Sequence, residues 1–139
     1  MIGISLAAAA ALALLPGRYA SIDQRIEARV EQASPGRLRV ELVGGGLPNG
    51  TATAADCTIV AEGRRRSGTV VLRAVPFTAS TQEVTSADLQ HTPVTVTARP
   101  VRGGAVIATK GTLPCGVGSS LDGRLYRKAK QPGETLIQK

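Results

Sequence analysis

Along Arg37–Leu42, the apolar residues Leu38, Val40 and Leu42 alternate with Arg37, Arg39 and Glu41. The same period of two returns downstream, where Val94, Val96 and Ala98 alternate with Thr95, Thr97 and Arg99. In an extended chain every second side chain faces the same side, so each run describes a strand with one buried face. Ala105–Lys110 reads as the strand returning from the second run, with Arg102-Gly103-Gly104 supplying the turn. Cys57–Ala61, Arg124–Lys128 and Glu134–Gln138 are further short strands, and the apolar run in Thr69–Val75 predicts burial on both faces. Aromatic residues make up only 2% of the 139, namely Tyr19, Phe77 and Tyr126, so the core must be built from Val, Leu, Ile and Ala. These short strands imply a mainly β, antiparallel architecture.

Two segments read as helical. Ser21 and Gln24 have the spacing of a capping box, Asp23 falls in the first turn, and Ile22, Ile26, Val30 and Ala33 form one apolar stripe. The spacing predicts an N-terminal amphipathic helix that ends at Ser34-Pro35-Gly36. Thr85–Leu89 predicts a single helical turn with Thr85 as its cap.

The chain begins with an apolar stretch, Ile2–Leu15, interrupted only by Gly3 and Ser5 and stopped by Pro16-Gly17. About 20 residues are needed to span a bilayer, so its length suits a secretory leader. No Lys or Arg precedes it, and the small-residue cleavage pattern is weak; a buried Ala-rich helix or a displaced start are the competing readings. The expected organisation is a signal segment at 1–20, a helix, strand and Gly-rich linker at 21–55, and a β-rich domain at 56–139. Export implies a periplasmic location with no stable membrane span after leader removal. The only cysteines, Cys57 and Cys115, agree with this: an oxidising compartment lets them bond, closing a loop that chain entropy values at about 4 kcal/mol. Two separate buried thiols is the other reading.

Residues that carry chemistry are scarce. His91 is the only histidine, so any Ser-His-Asp or Cys-His site has to use it, and no motif surrounds it. Gly44, Gly46 and Gly50 lack dinucleotide-binding spacing, and two distant cysteines with one histidine make no zinc set. Asp88 reads as a helix-end residue, and Asp122 before Gly123 as a turn residue. These readings predict a protein that is not an enzyme, with no cofactor and no metal.

The net charge is +7 and the pI about 10.3. Nucleic acid is disfavoured as a partner because there are almost no aromatic stacking platforms. Two basic clusters stand out, Arg64-Arg65-Arg66 and Arg124, Arg127 and Lys128 with Lys130. They are candidate partner-binding residues, for an acidic protein or an anionic lipid surface; otherwise they keep loops and strand edges soluble.

The passage Glu83-Val84-Thr85-Ser86-Ala87-Asp88-Leu89 resembles the Glu-Val-Ile-Thr-Ala-Ala-Asp-Leu passage of SAF domains, small β-clip modules, with Gln82 in place of the usual preceding glycine. The strand Val94–Val96, the Arg102-Gly103-Gly104 hairpin, Ile107–Gly111 and the Gly116–Gly118 turn are similar to the stretch that follows in one SAF-containing family, the periplasmic chaperones of flagellar P-ring assembly. Ile26–Val30 and Arg37–Leu42 resemble that family's N-terminal part. The resemblance implies a β-clip-like fold and a non-enzymatic role, binding the P-ring subunit as its protein client. A structural or adaptor component of an envelope or pilus assembly built on the same module is the alternative. Partner binding would then use a sheet edge, for which the Val94–Lys110 hairpin is the candidate.

Overall fold

The structure, a computed structural model, describes residues 12–44, 57–78, 83–111 and 121–129. Strands β1 (Gly17–Ala20), β2 (Ile26–Ser34), β3 (Arg37–Gly44), β4 (Cys57–Arg64) and β5 (Val70–Ala74) come first. A small excursion follows, made of β6 (Phe77–Thr78), β7 (Glu83–Val84) and helix α1 (Ser86–His91). Strands β8 (Thr95–Val101), β9 (Gly104–Lys110) and β10 (Gly123–Arg127) complete the chain of elements.

The strands other than β6 and β7 close into one antiparallel barrel in the order β1-β10-β9-β8-β5-β4-β3-β2. Sequence neighbours are therefore sheet neighbours, and β10 returns to pair with β1, the pattern of an up-and-down barrel. A barrel of this strand number has an interior just wide enough to be filled by side chains. Leu38, Leu42, Ile59, Leu72, Val96 and Leu125 fill it with almost no exposure, and no described polar or charged residue is buried. The outward positions carry Arg29, Glu31, Arg39, Glu41, Arg73 and Arg99. That polarity is the reverse of a membrane-spanning barrel, whose outer band is apolar.

Where strands crowd, glycine is required. An added Cβ on Gly104 would strike the Leu125 carbonyl oxygen and press on Tyr126 Cα, and one on Gly63 would strike the Val71 carbonyl oxygen. Glycine inside a strand commonly marks such a barrel corner. Two of the seams are short. β4 meets β5 through Ala61–Ala74 and Glu62–Arg73, extended by Val75 N–H to the Val60 carbonyl, and β10 meets β1 through Tyr19–Arg127 and Ala20–Tyr126, extended by Lys128 N–H to the Arg18 carbonyl. The ladders between β2 and β3 and between β3 and β4 run nearly the full strand length.

The antiparallel β class, the hairpin and the capped turn follow the sequence reading. β8 and β9 pair from Thr95–Lys110 to Val101–Gly104, with Gly103 at φ +81° in the turn. Thr85 caps α1: its hydroxyl accepts from Asp88 N–H, and the Asp88 carboxylate accepts from Thr85 N–H at 2.8 Å.

Three expectations are corrected. The N-terminal amphipathic helix is not formed; residues 26–34 are strand β2, with Ala28 and Val30 buried and Glu27, Arg29 and Glu31 exposed. Ser21 instead anchors a tight turn between β1 and β2, its hydroxyl accepting from the N–H groups of Arg25 and Ile26, both at 3.1 Å. β5 is buried on one face only, because Val71 and Arg73 point outward. The β8–β9 hairpin offers no free edge, since β8 also pairs with β5 and β9 with β10.

The boundaries drawn at residues 20 and 55 do not divide this barrel. Gly17–Ala20 is one of its strands, and β3 and β4, on either side of residues 45–56, pair from Arg37–Arg64 to Gly44–Cys57. The strand expected at Glu134–Gln138 and the Gly116–Gly118 turn lie outside the described residues.

Candidate functional site

Strand direction alternates around an antiparallel barrel, so the β2–β3, β4–β5 and β8–β9 turns all project from one end, along with the start of β1 and the finish of β10. Backbone hydrogen bonds tie these pieces into a rim. Arg65 N–H bonds the Gly36 carbonyl at 2.8 Å, Gly68 N–H the Leu12 carbonyl at 2.9 Å, and Arg127 N–H the Gly103 carbonyl at 2.8 Å. The segment Leu12–Pro16 crosses this end as a strap. Ala13 bridges to Ser67, and Leu14 drops into the barrel core.

The strap is pinned from inside. Tyr19 is buried, and its hydroxyl donates to the Leu15 carbonyl. Burial pushes the Tyr19 phenol above its usual value, opposed by the positive charge of Arg127 beside it. Arg127 donates to the Pro16 carbonyl at 2.6 Å, and its guanidinium fills the space beside Gly17. One of the sequence candidates thus works within the fold.

The two basic clusters, separate in sequence, are brought together here. Arg64 ends β4 and Arg65 and Arg66 begin the turn to β5, while Arg127 ends β10 and Lys128 follows it. Arg124 is not at the rim; it lies on the barrel wall, opposite Val106, with its guanidinium 5.7 Å from the Tyr126 ring centre. Lys130 lies outside the described residues. Arg18, Arg37 and Arg102 join the rim, although as isolated residues they gave no sequence signal beyond their closeness to turns at Gly17, Pro35-Gly36 and Gly103-Gly104.

Positive charge at this end is only partly compensated. The described loop residues here include no Asp or Glu. Arg37 sits directly across from Arg64, and Arg18 across from Arg29. Like charges placed opposite each other across strands oppose folding. A network lower on the wall, in which Glu62 accepts from Arg39 at 2.9 Å and lies 3.8 Å from Arg37 while Glu31 lies 3.9 Å from Arg39, relieves part of it. Among the described residues no carboxylate pairs with Arg64, Arg65, Arg66 or Arg102; Arg65 reaches only the Gln32 side chain, at 3.5 Å.

At the opposite end the carboxylates serve turns. Asp23 is held below the usual carboxylate range first by the Ser21 hydroxyl and then by the Arg25 N–H. Asp88 is held down first by the Thr85 N–H and then by the Thr85 hydroxyl. Asp122 accepts from Thr109 N–H at 2.9 Å and from its hydroxyl at 2.6 Å. His91 lines a shallow, open depression with Glu83, Asp88 and Thr92. Among the described residues no three of His, Cys, Asp or Glu are grouped to hold a metal ion. No helix among the described residues is long and apolar enough to cross a membrane. Cys57, buried at the start of β4, is disulfide-bonded, and Cys115 lies outside the described residues.

No family model, curated protein or solved structure matches this chain.

Proposed function

We propose that this protein is a non-enzymatic binding protein of the cell envelope, a periplasmic chaperone that assists assembly of the flagellar P-ring by binding its subunit. The observation that carries the reading is where the SAF-like passage lies. Glu83–Leu89 does not contribute a barrel strand; it forms β7 and most of α1, an excursion between β5 and β8 in which Val84 is buried and the helix buries no residue. A filled barrel with a projecting element is a scaffold suited to presenting a recognition surface. The β-clip relationship, on this reading, belongs to the excursion. With both edges of the β8–β9 hairpin already paired, the client is held at the excursion, through the side chains of α1 or along the outer edge of the two-stranded β6–β7 sheet.

The test is direct binding between the purified protein and the purified P-ring subunit, followed by titration calorimetry and by suppression of subunit aggregation. Saturable binding that is weakened by Leu89→Asp on α1 is the expected result. A subunit that neither binds nor is protected from aggregation would overturn the assignment.

A further inference from the structure

We infer that the basic end of the barrel docks on an anionic lipid surface. Six exposed cations, Arg37, Arg64, Arg65, Arg66, Arg102 and Lys128, ring this end, and among the described residues no loop there carries a carboxylate. Their mutual repulsion, including the direct Arg37–Arg64 opposition, is relieved by a surface of negative charge. A ring of cations at the end of a barrel suits a plane of headgroups, where each nearby Lys or Arg adds to the attraction.

The apolar side chains decide between lipid and other polyanions. Leu12 and Leu15, in the strap across this same end, are 53% and 44% exposed among the cations. Exposed leucines inside a basic ring gain nothing from a nucleic-acid backbone, whereas at a membrane they enter the interfacial layer beneath the headgroups. The sequence that runs into this end ahead of Leu12, Ile2–Ala11, is itself apolar apart from Gly3 and Ser5. Client binding through α1 and lipid docking through the basic end use opposite ends of the barrel, so the two are independent.

The experiment is co-sedimentation of the full chain with vesicles of phosphatidylglycerol and phosphatidylcholine, compared with vesicles of phosphatidylcholine alone. Apolar sequence partitions into both, so the readout is the ratio between them. Expected is a preference for the anionic vesicles that falls steeply as salt is raised. Replacing Arg64, Arg65 and Arg66 together with Gln should cut that preference by about fivefold per charge, on the order of 100-fold in all. Arg73→Gln combined with Lys110→Gln, cations away from this end, should leave it unchanged. Equal binding to both vesicle types, an unaltered preference in the triple variant, or tighter binding to duplex DNA than to anionic vesicles at the same salt would each overturn the proposal.

Discussion

Removing residues 1–20 should unfold this barrel, whereas removing residues 1–11 should not. The longer deletion takes away β1 and the strap. It strips Leu14 and Tyr19, each 3% exposed, from the core. Burial of side chains of this kind is worth about 1.5–3 kcal/mol each. The hydrogen-bonded ladders to β2 and β10 vanish with them, at roughly 1 kcal/mol per bond. The two side chains alone come to about 3–6 kcal/mol, and with the bonds the loss is comparable with the whole stability of a small domain, about 5–15 kcal/mol. The deletion also leaves β2 and β10 as bare edges, which invite association. Urea unfolding followed by far-ultraviolet circular dichroism on chains 12–139 and 21–139 reads the difference. With slopes of about 1–3 kcal/mol per molar urea, the midpoint should fall by roughly 2 M or more, or the transition should disappear. Coinciding midpoints would refute the reasoning and restore residue 20 as a workable cleavage point. If a leader is removed in the cell, N-terminal sequencing of the mature protein should accordingly find the cut ahead of Leu12.

Other perturbations probe separate parts of the barrel. Gly104→Ala sets a methyl group against the Leu125 carbonyl, a backbone atom that cannot swing aside, and should cost about 1–3 kcal/mol, seen as a lower Tm. Tyr19→Phe leaves the Leu15 carbonyl without its donor, and should cost about 1–2 kcal/mol at neutral pH. Because burial raises the Tyr19 phenol, the protonated form is the one the fold favours; that contribution is intact below pH about 10 and is lost as pH rises through the folded value, so alkaline unfolding should come later in Tyr19→Phe than its neutral-pH stability predicts. Cys57→Ser should lower stability by about 4 kcal/mol, and peptide mapping without reductant should recover Cys57 joined to Cys115.

The β8–β9 hairpin was legible because its signal is local: period-two residues flank a turn whose glycine takes a positive φ. The Thr85 cap was legible for the same reason. β2 was misread because Ile26 and Val30 are four apart, a spacing shared by one helical turn and by one face of a strand. Ala28, midway between them and buried, separates the two readings, as do the exposed charges Glu27, Arg29 and Glu31. Ser21 misled in the same way: a hydroxyl that accepts backbone N–H groups serves a tight turn as well as a helix start. Closure could not be read at all, since it joins Tyr19 to Arg127 across nearly the whole chain. The basic end was half legible. Both Arg clusters were visible as runs, but their convergence depends on strand direction around the closed barrel, and Arg124 is set apart from them for that reason.

The short seams on either side of the barrel have a mechanical consequence. They part it into two well-zipped shells, β1 to β4 and β5 with β8 to β10, joined like the halves of a clam at Ala61–Ala74 and Tyr19–Arg127. Amide exchange should be fastest along these two lines. Cys57 belongs to the first shell, and Cys115 to the sequence linking β9 and β10 of the second. A bond between them is a clasp across the opening, so an oxidising compartment would hold the shells shut and a reducing one would let them gape, exposing four strand edges and the aliphatic interior at once.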